Sequence, residues 1–190
     1  MKRRVGILGG TFNPPHIGHL IIANEVLCAL DLDEVRFMPN HEPPHKQKAG
    51  NVTAEDRLAM VSLAIADHPK FTIEDIELLR KGKSYTYDTM VLLKEREPDT
   101  EFYFIIGGDM IEFLPHWYRI EELCKMVHFV GVKRPNYCED TPYPVQMVDV
   151  PEIQLSSSLI RKKIAEHQTV KYLLPDRVIS YIKENRLYEP

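Results

Sequence analysis

Cysteines are few in this sequence, and positive charge is not in excess. Only three of the 190 residues are cysteines and none forms a C-x-x-C pair, so any disulfide scheme leaves one thiol over. This usage is typical of a reducing compartment and predicts a cytoplasmic protein. The 24 Lys and Arg residues stand against 28 Asp and Glu residues, a net charge of -4. That balance excludes the polybasic surface expected of a protein that binds a nucleic acid polymer.

Long apolar runs are missing as well. No stretch approaches the ~20 apolar residues of a membrane span, so we expect no membrane partner. The chain starts with the basic Met1–Arg4, as a signal peptide does, but the apolar run Val5–Leu8 stops at paired glycines and is too short for an export signal. With 44% apolar and 27% charged residues, the composition is that of a globular protein. The length favours a single domain over residues 1–190, with a helical C-terminal part at about 156–190.

Apolar runs of strand length alternate with longer segments of helical periodicity. Strands are predicted at Val5–Leu8, Val35–Met38, Phe71–Ile73, Phe102–Ile106, Val127–Val132 and Val145–Val150. Helices are predicted at Ile17–Leu30, at Leu58–Ala66 after a Thr53 cap, and at Asp88–Glu97, Ser156–Ala165 and Asp176–Asn185. This alternation predicts an α/β fold with a Rossmann-like, doubly wound parallel sheet, which binds ligands at the carboxyl ends of its strands.

The loop after the first predicted strand has the features of a phosphate site. Residues 9–19 have the sequence GGTFNPPHIGH and lead directly into a helix. Glycines let backbone N–H groups approach an anion, and the helix N-terminus adds its positive end. His16 and His19 lie three residues apart on the first turn and face the same space. Gly18 keeps the helix surface low, so that a bulky ligand can lie against it.

Two other interpretations of this loop stay open. It could be a plain structural turn, or part of a zinc site built from His16, His19, His41 and His45. Against zinc, the pair at 41 and 45 spans two prolines, and no Cys or Glu completes a ligand spacing. The loop also lacks G-x-G-x-x-G and the P-loop lysine, which disfavours a dinucleotide cofactor module or a P-loop NTPase.

A second phosphate-binding pattern lies near the other end of the chain. Ser156–Ser158 can cap a helix and offer hydroxyl and N–H groups to phosphate oxygens, and Arg161, one turn further on, can add a bidentate contact. The alternative is an ordinary serine cap with a solvated arginine.

These two motifs carry a resemblance. GGTFNPPHIGH resembles the HxGH signature of the nucleotidylyltransferase superfamily, and LSSSLIR at 155–161 resembles its ISSSxxR element. Class I aminoacyl-tRNA synthetases share the HxGH form, but this chain leaves no room for tRNA-binding domains. The middle segments PPHK (43–46), SYTYDT (84–89), IIGGD (105–109) and WY (117–118) are similar to the bacterial nicotinate mononucleotide adenylyltransferases. His16 and Arg161 differ from the Thr and Lys usual in the pantetheine-phosphate branch.

The resemblance implies a reaction and its residues. The 5′-phosphate of nicotinate mononucleotide attacks ATP, which gives nicotinate adenine dinucleotide and pyrophosphate in NAD biosynthesis, with Mg²⁺ accompanying ATP. The sequence itself has no dedicated carboxylate cage for this ion, so we expect phosphates and water to hold it. The implied catalytic residues are His16, His19 and Arg161. The implied ATP-binding residues are Gly9, Gly10, Thr11, Phe12, Gly18, Ile106, Gly108, Asp109, Arg134, Ser157 and Ser158. The implied acceptor-binding residues are His45, Lys46, Tyr85, Thr86, Trp117 and Tyr118.

Several of these residues have a simpler interpretation. Trp117 could be a core residue, Lys46 an ordinary exposed lysine, and Asp109 a helix N-cap. The arginines outside the site set, and Glu121 with Glu122, are expected on the solvated surface. Asn13 stands where many relatives carry Asp, so it is left out of the catalytic set.

Two other functions also stay open. One is adenylyl transfer to nicotinamide mononucleotide or to a different phosphorylated acceptor, and the other is a nucleotide sensor without catalysis. A homo-oligomer is open too, because the helix Asp176–Asn185 and the Pro-rich 134–151 stretch could form an interface or pack within the molecule.

Overall fold

The structure is a computed structural model that describes residues 2–41, 52–80, 85–132 and 141–189. Its strands are β1 (Arg3–Gly10), β2 (Glu34–Pro39), β3 (Phe71–Ile73), β4 (Thr100–Gly107), β5 (His128–Val132) and β6 (Val145–Val148). Its helices are α1 (Ile17–Ala29), α2 (Ala54–Ile65), α3 (Ile76–Arg80), α4 (Thr86–Arg96), α5 (Gly108–Ile111), α6 (Ile120–Met126), α7 (Ser157–Ala165) and α8 (Asp176–Glu184), with a 3₁₀ turn at Leu114–His116. All predicted strands and helices are confirmed, Phe71–Ile73 with its predicted ends and the others with shifted ends, whereas α3, α5, α6 and the 3₁₀ turn were not predicted.

The strands form one parallel sheet, in the order β3-β2-β1-β4-β5-β6 among the described residues. β1 lies between β2 and β4, with Leu8 opposite both Phe37 and Ile105. The strand order reverses at this point, and a doubly wound sheet has its ligand crevice where the order reverses. The predicted fold class is confirmed, and the loops after β1 and β4 border that crevice.

Both faces of the sheet are buried. Because successive side chains of a strand point to opposite faces, Leu8 packs with α1 and α2 residues such as Val26 and Val61, while Ile7 packs with α4 and α6 residues such as Leu93 and Leu123. Helices therefore cover the two faces of a sheet whose central strands β1 and β4 have buried apolar runs at Val5–Leu8 and Phe102–Ile106, as expected for parallel strands.

A third apolar cluster joins the C-terminal helices to α2. Its buried residues are Met60, Ile160, Val170, Leu174, Val178, Ile182 and Leu187. The start of α2 is held as well, because Thr53 and Asp56 form a capping box and the Tyr181 hydroxyl donates to Asp56 Oδ1 at 2.9 Å. Within the described ranges, no helix has the length and apolar character needed to cross a bilayer.

The prediction that the remaining arginines are solvated is wrong for Arg36 and Arg57, which are only 7% and 6% exposed. Arg36 is buried on β2 because carboxylates surround it. Its guanidinium donates to Glu34 at 2.7 Å and to both oxygens of Glu97, at 2.6 and 2.7 Å. Glu74 accepts a further bond at 3.2 Å. A buried cation is tolerated when opposite charges pair with it in this way.

Candidate active site

The loop after β1 turns sharply and is built around a buried phenylalanine. Phe12 has a φ of 49°, in the left-handed region that a bulky residue adopts only when its surroundings hold it there. Its ring lies edge-on to His19, with ring centres 5.0 Å apart, and packs on Phe37 of β2 at 5.7 Å. This packing attaches the loop to the sheet and places the following residues above the carboxyl end of β1.

His16 and His19 lie side by side at the start of α1. Their rings are stacked with centres 3.7 Å apart, and the backbone N–H of His16 donates to Nδ1 of His19 at 3.1 Å. Because Nδ1 of His19 accepts this bond, the proton of the neutral ring lies on Nε2, which makes Nε2 the donor end. His16 is the residue that precedes the first turn of α1. Both imidazoles therefore lie at the positive end of this helix.

Gly18 has a close neighbour that the sequence did not indicate. A Cβ at this position would lie 3.1 Å from both Cε1 and Nδ1 of His16. That separation is tighter than ordinary van der Waals contact, so a larger residue would require the His16 ring, which stacks on His19, to shift. Gly18 thus preserves the stacking of the two imidazoles, whatever room it also leaves for a ligand.

The two sequence motifs are in direct contact, although 143 residues separate Ser157 from Pro14. The Ser157 hydroxyl donates to the Pro14 carbonyl oxygen at 2.9 Å, and Nη1 of Arg161 donates to the Asn13 carbonyl oxygen at 2.9 Å. Nη2 of Arg161 donates to Ser158 Oγ at 3.1 Å. The start of α7 therefore lies against the loop that carries the histidines.

The start of α7 has a serine cap, as predicted. Ser156 precedes the helix, and its hydroxyl oxygen accepts a bond from the backbone N–H of Leu159 at 3.2 Å. The cap interpretation is therefore confirmed for Ser156, while the side chains of Ser157 and Ser158 make other contacts and their binding of phosphate stays a prediction.

A second buried arginine completes the support of the loop. Arg57 of α2 donates to the Thr11 carbonyl oxygen at 2.9 Å and to the His41 carbonyl oxygen at 3.2 Å. Burial lowers the pKa of Arg57, although an arginine keeps its charge in proteins. Sequence analysis missed this residue, but Met60, Val61 and Ile65 are the other buried residues of α2. Arg57 thus continues the apolar stripe of the helix, a signal that it points inward.

The end of β4 provides the other side of the crevice. Ile106 is buried in the strand and lies opposite Gly131 of β5. Gly107 precedes α5 and Gly108 is its first residue, so Gly107 is the N-cap rather than Asp109. Because β1 and β4 are parallel neighbours, Ile106 and Gly108 lie at the same edge of the sheet as Gly9 and Gly10.

Trp117 lies on the sheet close to this edge. Its ring meets Phe104 and Phe129 edge-on, with centres 5.9 and 5.8 Å apart. Phe104 in turn lies beneath β1, since a Cβ on Gly9 would be 3.4 Å from its Cζ. Trp117 therefore packs partly against the core, as the simpler interpretation expected, and Phe104 lies between it and the strand that leads into the histidine loop.

Aromatic side chains lie together at the start of α4. The Tyr85 and Tyr118 rings are 5.3 Å apart, and Tyr118 is 52% exposed. Tyr85 precedes the helix and Thr86 is its first residue, two residues earlier than predicted. The side chain of Tyr85 makes no capping hydrogen bond, so the first N–H groups of α4 are not satisfied in that way.

Comparison with known proteins identifies the family. The cytidylyltransferase-like family model matches residues 7–163. A protein of Geobacillus thermodenitrificans named "Probable nicotinate-nucleotide adenylyltransferase" is 57% identical over 97% of this chain and 86% of its own. A Bacillus licheniformis protein of the same name is 57% identical over 98% of this chain and 99% of its own. The chain belongs to the nicotinate-nucleotide adenylyltransferase family.

A solved adenylyltransferase has the same fold. The Plasmodium falciparum nicotinic acid mononucleotide adenylyltransferase complexed with NaAD superposes with a TM-score of 0.81, over 98% of this chain and 97% of that one, at 21% sequence identity. The family model spans both motifs of the adenylyltransferase, from before His16 to beyond Arg161.

Four residues of the predicted site cannot be placed. His45, Lys46 and Arg134 lie outside the described residues, and so does the side chain of Asp109. Their assignment to the adenylyltransferase site stays a prediction. Among residues that the structure does describe, no group of three or more His, Cys, Asp and Glu side chains could hold a metal ion.

Proposed function

We propose that this protein transfers the adenylyl group of ATP to the 5′-phosphate of nicotinate mononucleotide, forming nicotinate adenine dinucleotide and pyrophosphate in NAD biosynthesis. The observation that carries the proposal is the contact of Ser157 and Arg161 with the loop that presents His16 and His19. The names of the relatives support the same acceptor, and so does the NaAD held by the Plasmodium protein. The cysteine usage supports a cytoplasmic enzyme.

The reaction needs no nucleophile from the protein. A phosphate oxygen of the acceptor attacks the α-phosphorus of ATP, and the bond from that phosphorus to the bridging oxygen breaks, so pyrophosphate leaves. The enzyme then contributes orientation and charge neutralisation, and well-oriented reactants can reach effective molarities of about 10⁵ M or more.

The triphosphate lies over the start of α1 in this proposal. His16 and His19 donate to its oxygens, and the backbone of Gly9–Phe12 and the turn at Gly18 allow the close approach. Arg161, Ser157 and Ser158 reach it from α7. Because negative charge grows on the departing pyrophosphate, fixed donors at this place stabilise the transition state more than the bound ATP. Ile106, Gly108, Asp109 and Arg134 contact the remainder of the nucleotide.

The acceptor lies between the end of β4 and the start of α4. Trp117, with Tyr118 beside it, stacks on the pyridine ring. The ring carboxylate meets Tyr85, Thr86 and the first N–H groups of α4, a helix of 11 residues whose positive end favours an acid over an amide. His45 and Lys46 bind the mononucleotide phosphate.

We assign Mg²⁺ to the ATP rather than to the protein. Magnesium prefers oxygen ligands in octahedral geometry, and the described side chains at the crevice are mainly imidazoles, hydroxyls and a guanidinium, which do not form such a cage. When bound with ATP, the ion neutralises part of the phosphate charge, and the steps above rest on the residues of the chain.

Pyrophosphate release tests the proposal. The purified protein is given ATP, magnesium and one acceptor at a time: nicotinate mononucleotide, nicotinamide mononucleotide or pantetheine phosphate. We expect release at least about tenfold faster with the nicotinate compound than with the amide, because the amide lacks the charge that α4 stabilises. Faster release with another acceptor would contradict nicotinate mononucleotide as the substrate. No release of pyrophosphate with any acceptor would contradict adenylyl transfer and support a nucleotide sensor.

A further inference from the structure

The histidine loop is held by side chains from outside it. Arg57 donates to the carbonyl oxygen of Thr11, Arg161 to that of Asn13, and Ser157 to that of Pro14. These three contacts lie on both sides of the left-handed turn at Phe12. A backbone of this kind persists only where neighbouring groups over-determine it. The shape of the loop is therefore set in part by residues that are distant in sequence.

Tyr188, near the C-terminal end of the described residues, contacts a side chain of this loop. Its hydroxyl donates to Oδ1 of Asn13. Asn13 is only 9% exposed, and Tyr188 follows Leu187, which is buried in the cluster between α2 and the C-terminal helices. The hydroxyl is thus presented to Asn13 from a packed support rather than from a loose terminus.

The protonation state of the Tyr188 hydroxyl fits its role as a hydrogen-bond donor to Asn13. Burial raises the pKa of Tyr188 well above its ordinary value, so the oxygen keeps its proton and remains a donor at physiological pH. Asn13 meanwhile accepts at two places, from Tyr188 at its side chain and from Arg161 at its backbone. A displacement of Asn13 would consequently move the backbone that Arg161 contacts.

We infer that Tyr188 is a positioning residue for ATP, which acts by holding Asn13 and thereby the segment that leads into His16. The inference rests on the proposed function, since it takes the loop to be the triphosphate site. In this role the Tyr188 hydroxyl bonds to Asn13 and not to ATP. Its effect passes through two hydrogen bonds, from Tyr188 to Asn13 and from Arg161 to the same residue.

Tyr188→Phe tests this role, with Tyr181→Phe as the matched control. Both substitutions remove one phenolic hydroxyl from the same C-terminal part, but Tyr181 bonds to Asp56 and not to the loop. The probe is α,β-methylene-ATP, measured by titration calorimetry, together with the KM for each substrate. We expect affinity for the analogue and kcat/KM for ATP to fall about three- to tenfold in Tyr188→Phe, as for the loss of one hydrogen bond. The KM for nicotinate mononucleotide should stay within about twofold.

A double-mutant cycle with Asn13→Ala separates positioning from general destabilisation. If the two side chains act through their mutual bond, the double variant should bind the analogue about as weakly as either single variant. Fully additive losses would overturn the inference. So would unchanged analogue affinity in Tyr188→Phe, or an equal loss in Tyr181→Phe.

The binding measurement also separates this inference from the proposed function. Analogue affinity needs no acceptor and no turnover. If the unmodified protein bound the analogue but released no pyrophosphate with any acceptor, the proposed reaction would fail, while the affinities of the variants would still decide the role of Tyr188.

Discussion

His19 combines several contacts in one side chain. It stacks on His16, meets Phe12 edge-on and accepts a bond from the His16 backbone through Nδ1. These contacts fix the direction of Nε2. A donor held in place before the reaction needs no rearrangement as charge develops on the leaving group, which is why such donors contribute strongly to catalysis.

We therefore expect His19→Ala to lower kcat for pyrophosphate release by a factor of about 10² or more, with a folded protein and little change in Tm. Steady-state kinetics and thermal unfolding measure the two quantities. His128→Ala is the control, because His128 begins β5 at the opposite edge of the sheet and is exposed. Near-normal turnover in His19→Ala would remove His19 from the catalytic set.

Single residues differ in how far the sequence reveals them. The proximity of His16 and His19 was predictable, because residues three apart at a helix start share one face. The apolar stripe of α2 indicates that Arg57 points inward, but this position was not predicted. Tyr188 was not predictable, because its partner Asn13 lies 175 residues away and no local pattern marks such a contact.

At the scale of the elements, α4 joins the proposed acceptor site to the sheet. Its first residue is Thr86, and Glu97 follows its last turn. Glu97 accepts two bonds from the buried Arg36 of β2, and Arg96 bonds to Glu74 beside β3. The end of the helix away from the acceptor is thus fixed by charge pairs, while the other end presents its N–H groups.

This network predicts an acid-dependent stability. The bonds from Arg36 lower the pKa of Glu97 to about 2, from an ordinary 4.5. The contribution of Glu97 is therefore complete above about pH 4.5 and is lost as the pH falls towards 2. Glu97→Gln should lower the free energy of unfolding by roughly 1–3 kcal/mol at pH 7. Its stability should also depend less on pH across that acid range.

Chemical denaturation at a series of pH values measures this effect. The control is Glu95→Gln, on the same helix with an exposed carboxylate. The free energy of unfolding could instead fall between pH 4.5 and 2 by the same amount in Glu97→Gln as in the parent protein. That result would show that the Arg36 contact does not stabilise the fold.

Elements were predictable where the pattern is long or strongly apolar. β1 and β4 have unbroken buried runs, and the Thr53 cap marks α2 in the sequence. α6 was missed because it has only seven residues and begins after Arg119, whose φ is 53°. Such short helices form where packing favours them, here through Leu123 of α6, which is buried in one cluster with Leu93 and Phe129, and local propensity gives little indication.

At the scale of the whole molecule, the C-terminal helices bring the second motif to the first. α7 and α8 pack on α2 rather than on the sheet, and this places Arg161 over the loop after β1. The resemblance of both motifs to one superfamily implied a shared site, but their contact depends on this third cluster. The net charge of -4 also says little about the site, where Arg57, Arg161 and the start of α1 supply local positive charge.

The central claim is that the α-phosphate of ATP moves to the acceptor, and isotopic labelling tests it most directly. The protein is incubated with nicotinate mononucleotide, magnesium and ATP that carries ³²P at either the α or the γ position, and the products are separated. We predict that the α label appears in nicotinate adenine dinucleotide and the γ label in pyrophosphate. Recovery of the α label in ADP, with the γ label in phosphate or on the acceptor, would contradict adenylyl transfer.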